Sequence, residues 1–577
     1  MASIDQPKVM ARPAPAAVGS RWFLPAGQRP IAALAGVGLT ALVAVPMLML
    51  IFAAVRGPIG SLPFESQAFF TTSNFQDAAT QGGLYRLGRD TFFYVAGAAT
   101  ISVVLGFALA WIVERTDIPF PNAIFILVLV PFLIPQSTMT NAWLEHLLPR
   151  TGQVNIWLRE TLNLDITRGP IDPYNIQMMI VFQGLLLTPI VFLVLAAILR
   201  NQNGAMEEAS RASGAGHWGT LRRVTAPLLF PGVFTAVVLA VWLTLDSTLV
   251  PFLLGGAGKV SLFNFRIWAA LNSADGSYTG FGLASAYAVM GMVTLFVLFA
   301  VYALTTRHTA KYATITGNSM RAPKLELGYW FLPTVGFVLA YLALTWGVPG
   351  YRLVQGSFRA GLSGYWAQLT SSRFLDALFN SAVMSIGSAT LGTIVIVLVA
   401  WTVVRSRAGP WKNGLDLLAT SSLVIPAALA GVAFLTLFLT IRGIPLYGSL
   451  IGVTYALAYR LAIPYRITNA AMRQVGKDME EVSATSGASP FTTLRRVTIP
   501  MLAPAISISW TIFFVFAVRE STLIRYLGFN DPTFGTGLGR FRGGPPGAAE
   551  AGTVLSILFI LGTILGVRYL LFRRARL

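Results

Sequence analysis

Two short runs set an acid beside hydroxyls inside otherwise apolar sequence: Asp246-Ser247-Thr248-Leu249 and Glu520-Ser521-Thr522-Leu523, the second preceded by Arg519. An ionisable side chain in hydrocarbon costs about 2.5–3.5 kcal/mol on insertion scales, so it belongs against a cavity or a partner. Arg460, also in an apolar stretch, is able to serve either purpose. Asp246, Ser247, Arg460, Arg519, Glu520 and Ser521 are therefore candidates for facing a cavity, and an internal Arg460–Glu520 ion pair that holds helices together is the alternative. A third use is ion coupling, with Asp246 and Glu520 as the coupling carboxylates of a proton- or sodium-driven secondary transporter. Covalent chemistry has little to work with. The chain has no Cys, its three histidines (His146, His217, His308) do not fall at metal-ligand spacing, and no Ser-His-Asp set converges on one face. No catalytic or metal-binding residue is expected, and the chain is read as a transporter rather than an enzyme.

The elements that must carry these residues follow from composition. Hydrophobic residues make up 55% of the 577 and charged residues 11%, and the apolar residues gather in runs long enough to cross about 30 Å of hydrocarbon as helices. Such continuous runs are not the alternating ten-residue strands of a barrel. The expected fold is all-α, with twelve spans near 31–55, 91–113, 122–142, 176–199, 228–252, 281–304, 330–348, 380–404, 415–440, 448–470, 502–524 and 552–572. Six fall in a first domain, 1–310, and six in a second, 311–577. The leading segment, with Lys8, Arg12, Arg21 and Arg29, is expected to be the basic flank of a retained signal-anchor. Ile134-Pro135 and Ile425-Pro426 are expected to kink the third and ninth spans, and the Ala- and Gly-rich stretches 95–110 and 382–392 to allow close helix packing.

The formal charge of +19 raises the question of nucleic acid. Its distribution answers otherwise: Lys and Arg concentrate at the termini and in alternate loops, the positive-inside pattern of a multi-pass protein with both termini in the cytoplasm. The expected surroundings are lipid, with no nucleic-acid partner.

The chain also repeats itself. Residues 207–231 read EEASRASGAGHWGTLRRVTAPLLFP and residues 480–504 read EEVSATSGASPFTTLRRVTIPMLAP, identical at fifteen of twenty-five positions. Each copy falls between the fourth and fifth spans of its half, on the expected cytoplasmic side, so the halves are parallel repeats. Glu207-Glu208 and Glu480-Glu481 put negative charge at the start of a short helix, where it complements the backbone dipole. Gly214 and Gly487 permit a sharp turn, and Pro227 and Pro500 mark entry into the next span. A short exposed helix of this kind is suited to another protein's groove.

These residues resemble the cytoplasmic loop of binding-protein-dependent ABC importer permeases, whose motif runs E-A-A, three residues, G, nine residues, I-x-L-P. Here it reads Glu208-Ala209-Ser210, Gly214, Val224-Thr225-Ala226-Pro227, and again Glu481-Val482-Ser483, Gly487, Val497-Thr498-Ile499-Pro500. Glu, Gly and Pro stay in register; Ser replaces the second Ala, Val replaces Ile, and Ala226 or Ile499 replaces Leu. The six-span halves extend the likeness over nearly the whole chain.

The resemblance implies the type I importer permease fold with both transmembrane domains in one polypeptide, in the cell inner membrane. It implies that Glu207, Glu208, Gly214, Leu221 and Pro227, with Glu480, Glu481, Gly487, Leu494 and Pro500, form two coupling helices that dock on two copies of a cytoplasmic ABC ATPase. ATP and magnesium would bind that separate subunit and no cofactor would bind this chain. The phosphate-loop lookalike at 255–261 has Leu253 in place of the first Gly and Val260 where Ser or Thr belongs. A periplasmic or tethered solute-binding protein would deliver the cargo, and the fifth helix of each half would line its route, which makes Asp246, Ser247, Arg519, Glu520 and Ser521, with Arg460 reaching the same cavity, the candidate translocation-pathway residues. The phrase FAVRESTLIRYLGF, 516–529, resembles the ferric-iron branch, which makes ferric iron the expected cargo, with phosphonate, thiamine or polyamine as alternatives.

Overall fold

Hydrocarbon offers the peptide backbone no hydrogen-bond partner, so each long apolar run closes its own bonds as a helix. The computed structural model describes residues 28–574 apart from 58–61, 81–82, 135, 201, 203, 257, 259, 273–279, 307–323, 360, 406–409, 442, 477 and 537–546. Among the described residues eight helices are long and apolar enough to span a membrane: Arg29–Ala54, Leu84–Arg115, Ile176–Arg200, Trp218–Asp246, Phe281–Val301, Gly328–Ser357, Ser372–Arg405 and Glu550–Val567. Three more spans are bent pairs: Pro121–Phe132 with Gln136–Leu147 at 91°, Trp411–Val424 with Ala427–Thr440 at 113°, and Pro490–Met501 with Ala503–Arg519 at 81°. Taken together they match eleven of the twelve expected spans. The tenth is two short helices, Leu450–Leu457 and Ala462–Gln474, and Arg460 stands in the break between them.

The breaks have local causes. Two of the bends fall at the Ile-Pro steps, although Pro135 itself lies outside the described residues; at the other, Pro426 adopts extended backbone (ψ 156°) and starts a new helix at Ala427. Small residues set the closest approaches. A Cβ on Gly106 would stand 3.0 Å from the backbone nitrogen of Phe192, and one on Gly392 would stand 2.5 Å from the Phe513 ring. The second and fourth spans, and the eighth and eleventh, thus pack nearly backbone to backbone or ring, as the Gly-rich stretches suggested.

The first helix of each half packs on the other half. Ile31, Ala35, Leu39, Leu42 and Leu50 of the first span are buried in the core built mainly from residues beyond 370 and from the sixth span. Conversely, Val338 and Tyr341 of the seventh span join the core formed by residues 94–262. Polar ties follow the same exchange: Trp143 Nε1 donates to Leu344 O and Trp346 Nε1 to Leu127 O, each at 2.8 Å, and Tyr455 Oη donates to Ala41 O at 2.6 Å. The halves are interlocked as well as repeated. The boundary expected at 310/311 lies outside the described residues.

Candidate functional site

Two sites carry the polar chemistry of the bundle. The first is the repeated loop. Its helix, Ala205–Ala212 in one half and Asp478–Thr485 in the other, ends on a glycine with positive φ, +83° at Gly214 and +80° at Gly487. Gly214 N–H donates to Arg211 O and Ala215 N–H to Ser210 O; Gly487 N–H donates to Ala484 O and Ala488 N–H to Ser483 O, all at 2.9–3.1 Å. This is a left-handed glycine cap, formed identically twice. The turn is then tied across by hydroxyls, Ser210 to Thr220 at 3.0 Å and Ser483 to Thr493 at 2.9 Å. A wide π turn at Leu221–Thr225 and at Leu494–Thr498 precedes Pro227 and Pro500, whose rings lack the N–H a regular turn requires.

The first Glu of each copy faces the bundle. Glu207 Oε2 pairs with Arg115 Nη1 at 3.2 Å, with both side chains buried, and Glu207 Oε1 accepts from Thr225 Oγ1 at 3.1 Å. Glu480 Oε2 pairs with Arg405 Nε at 2.8 Å and Glu480 Oε1 accepts from Thr498 Oγ1 at 2.8 Å. Each carboxylate clasps its short helix to the end of the second or eighth span. Arg115 and Arg405 were not among the expected site residues, yet a signal was present: the spans end AWIVER and AWTVVR, 110–115 and 400–405. Leu494 is buried and Leu221 half-buried, whereas Glu208, Gly214, Pro227, Glu481, Gly487 and Pro500 are exposed. The exposed face carries Met206 and Trp218 in one copy and Met479 and Phe491 in the other, with Trp218 80% and Phe491 57% exposed.

The second site is inside the helix bundle, where all six candidate pathway residues line one cavity of about 70 Å³ together with Phe132, Gln136, Thr248 and Thr522. Arg460 Nη1 donates to Asp246 Oδ2 at 2.8 Å, and Arg460 Nη2 to Asp246 Oδ1 at 3.3 Å and Glu520 Oε2 at 2.7 Å. The expected Arg460–Glu520 pair is present, but as one arm of a triad that spans both halves. The remaining acceptor capacity goes to the backbone: Asp246 Oδ1 accepts the Ala427 N–H at 2.8 Å, and Glu520 Oε1 accepts the N–H groups of Thr522 and Leu523 at 2.8 and 3.1 Å. All four carboxylate oxygens are thereby engaged, each acid satisfying the start of a helix.

The acids converge from unequal positions. Asp246 is the last residue of its helix, and the residue in that place in the other half is Arg519; extended backbone follows at Ser247 and at Glu520. Structural equivalence therefore keeps the 273-residue offset, and the one-residue slip between the two acid-Ser-Thr runs is real. Arg519 forms no ion pair within 4 Å among the described residues; its Nε is buried without a hydrogen-bond partner, and its guanidinium lies 4.1 Å from the Phe132 ring centre.

Sequence comparison adds the family. The family described as "Binding-protein-dependent transport system inner membrane component" matches residues 102–311 and again 392–576. The chain is 25% identical to the ferric transport system permease protein FbpB of Actinobacillus pleuropneumoniae over 84% of this chain and 71% of that protein. It is 24% identical to the Fe(3+)-transport system permease protein FbpB 2 of Haemophilus influenzae, over 59% and 66% of the two chains. It is 30% identical to the molybdenum transport system permease protein ModB of Mycobacterium tuberculosis, over 32% of this chain and 70% of ModB.

Proposed function

Since the chain belongs to the family of binding-protein-dependent transport system inner membrane components, with the family domain present twice in one polypeptide, we propose that it forms the whole membrane pathway of an ABC importer for ferric iron. A solute-binding protein delivers the cargo on one side, and two copies of a separate ATPase subunit, which bind ATP and magnesium, close and open on the other. Both termini and both repeated loops face the cytoplasm.

One observation supports the two-ATPase arrangement above the rest: the repeated loops share the same glycine cap, hydroxyl tie, Glu–Arg clasp and exposed Met–aromatic pair. The clasp makes each short helix part of the adjoining span, so a push on its exposed face is transmitted to the bundle and not absorbed by a loose loop. Met206 with Trp218, and Met479 with Phe491, present two apolar anchors of the kind that fill grooves on a partner. Iron as cargo rests on the ferric relatives. Ion coupling is less well supported, because the oxygens of Asp246 and Glu520 are already occupied by Arg460 and backbone N–H groups.

The test is uptake of ⁵⁵Fe into sealed vesicles that contain the chain, its ATPase and its binding protein. Uptake that requires ATP and persists with a protonophore is expected. Uptake driven by a proton or sodium gradient without ATP would overturn the proposal.

A further inference from the structure

The two repeated loops share their caps and clasps but differ in what lies beside them. Next to the first is a cavity of about 140 Å³, walled by Trp111, Trp218, Leu221 and Leu325. Leu325 belongs to the lead-in of the seventh span, and its backbone is pinned to the end of the second: its N–H donates to Arg115 O at 2.8 Å, and Asp117 N–H donates to Leu325 O at 3.2 Å. In the second loop the matching positions are filled differently. Trp401 and Leu494 are buried where Trp111 and Leu221 are half-buried, Ala484 stands in place of Arg211, and Phe491 in place of Trp218. The duplication is an internal control: a docking helix folds without these features, so the first loop carries them for another purpose.

Three charged side chains reach the cavity, Arg115, Glu207 and Arg211. Arg115 and Glu207 neutralise each other in the clasp. Arg211 is left over, with no ion pair within 4 Å among the described residues, and its Nε, like that of the buried Arg115, has no hydrogen-bond acceptor. The other acids nearby are committed or turned away: Glu114 pairs with Arg200, Asp117 accepts the Leu327 N–H, and Glu208 is exposed and outside the lining. Two N–H donors without acceptors in a largely apolar cavity are costly unless a ligand accepts from them.

The depth of the cavity selects the ligand. Four residues beyond Leu325 the chain presents exposed Tyr329 and Trp330, then Phe331 and Leu332, the aromatic lead into a span that marks the headgroup layer. The rim is basic: exposed Arg222 and Arg223 follow Leu221, while Lys324 and Glu326, on either side of Leu325, offset each other. A phosphate oxygen suits the free donors and the spare charge of Arg211, and an apolar body suits the two indoles. Basic pockets between spans at the cytoplasmic surface hold anionic lipid headgroups by this combination.

We propose that the cavity binds the phosphate headgroup of an anionic phospholipid, which bridges the first repeated loop, the end of the second span and the lead-in of the seventh. The binding site stands without the importer reading; its assignment to the cytoplasmic leaflet rests on it.

The test is native mass spectrometry of the purified full chain, titrated in detergent with phosphatidylglycerol and, as the neutral-headgroup probe, phosphatidylcholine. One phosphatidylglycerol is expected to bind about fivefold more tightly than phosphatidylcholine, with the preference lost in Arg211→Ala, the residue of the second loop, and retained in Arg211→Lys, which keeps the charge. Unchanged elution of the variants establishes an intact bundle, and the lysine variant keeps the comparison valid if alanine impairs folding. Equal binding of the two lipids, or a preference that survives in Arg211→Ala, overturns the site. Glycerophosphoglycerol, the headgroup without its chains, distinguishes the source: competition at the lipid's own concentration identifies a soluble phosphate as the occupant and overturns the lipid assignment. The ATPase subunit is added last. Retention of the lipid in the assembled complex supports the proposal, whereas release of the lipid, with weaker ATPase binding in Arg211→Ala, gives the cavity to the ATPase and overturns it. If a cysteine at Ser213 is labelled from outside the cell, the leaflet and the importer orientation fail together, while the lipid titration still decides the site.

Discussion

Asp246, the last residue of the fifth span, accepts Arg460 Nη1 at 2.8 Å across 214 residues of sequence, and the same guanidinium reaches Glu520 at 2.7 Å. A single cation from the broken tenth span therefore holds the ends of both fifth helices. Removing one member of a buried ion pair costs about 3–5 kcal/mol, because the survivor is left unpaired in low dielectric. Arg460→Met strands two carboxylates and should lower membrane abundance several-fold. Arg460→Met with Glu520→Gln still strands Asp246, so only the triple variant with Asp246→Asn should restore abundance. Quantitative immunoblots of membranes check this, and full recovery in the double variant would mean that Asp246 is not part of the unit.

Uptake is expected to follow a different order. If the triad also shapes the cargo route, the triple variant should reach normal abundance yet transport at a tenth of the parental rate or less, measured in the same vesicles. Recovery of both together would reduce the triad to a tie between helices.

The Glu–Arg clasps predict uncoupling. Glu480→Gln keeps a group able to accept from Thr498 but loses the attraction to Arg405, and Glu207→Gln does the same opposite Arg115. ATP hydrolysis by the assembly should continue while solute uptake falls about tenfold, since the docked helix no longer moves with its span. Exchange of charges, Arg115→Glu with Glu207→Arg, should recover part of the uptake, whereas equal loss in single and exchanged variants would argue against a paired role.

At Gly214 and Gly487 no atom beyond the adjoining residues lies within 4 Å of where a Cβ would stand. The constraint is then the sign of φ and not space. Asn tolerates the left-handed region and β-branched residues do not, with about 1–2 kcal/mol at stake for an ordinary L-residue. Gly→Asn at both positions should transport nearly normally, and Gly→Val at both should uncouple hydrolysis from uptake without loss of the protein from the membrane. Similar uptake by the two variants would count against the cap as the feature that matters.

The absence of Cys from the sequence makes orientation directly measurable. Single cysteines at Ser213 and Ser486, both on exposed turns, should react with an impermeant maleimide only in inside-out vesicles, and a cysteine at Thr161 only in intact cells or right-side-out vesicles. Labelling of the two motif positions from opposite sides would be incompatible with parallel repeats.

The sequence by itself determined the helical, membrane-spanning class, because runs of apolar residues longer than a bilayer's thickness have one solution for their backbone. It also determined the duplication and the glycine caps, since these are local patterns: a repeated string, and a left-handed position that only the residue type reveals. The six intramembrane candidates were legible for the same reason, as polar groups where hydrocarbon penalises them. What they touch was not. The Arg460 triad joins residues 214 and 60 positions apart, and which acid a buried arginine meets depends on how two halves dock, which no local pattern encodes. The exchange of first helices is likewise a matter of packing, as hydrophobic faces carry no address. The inward turn of Glu207 and Glu480 was decided by Arg115 and Arg405 arriving from other helices. The break in the tenth span, between Leu450–Leu457 and Ala462–Gln474, has a local cause in Pro464, which has no N–H to give the Arg460 carbonyl four residues back; that the break presents the Arg460 guanidinium to two acids was decided by packing.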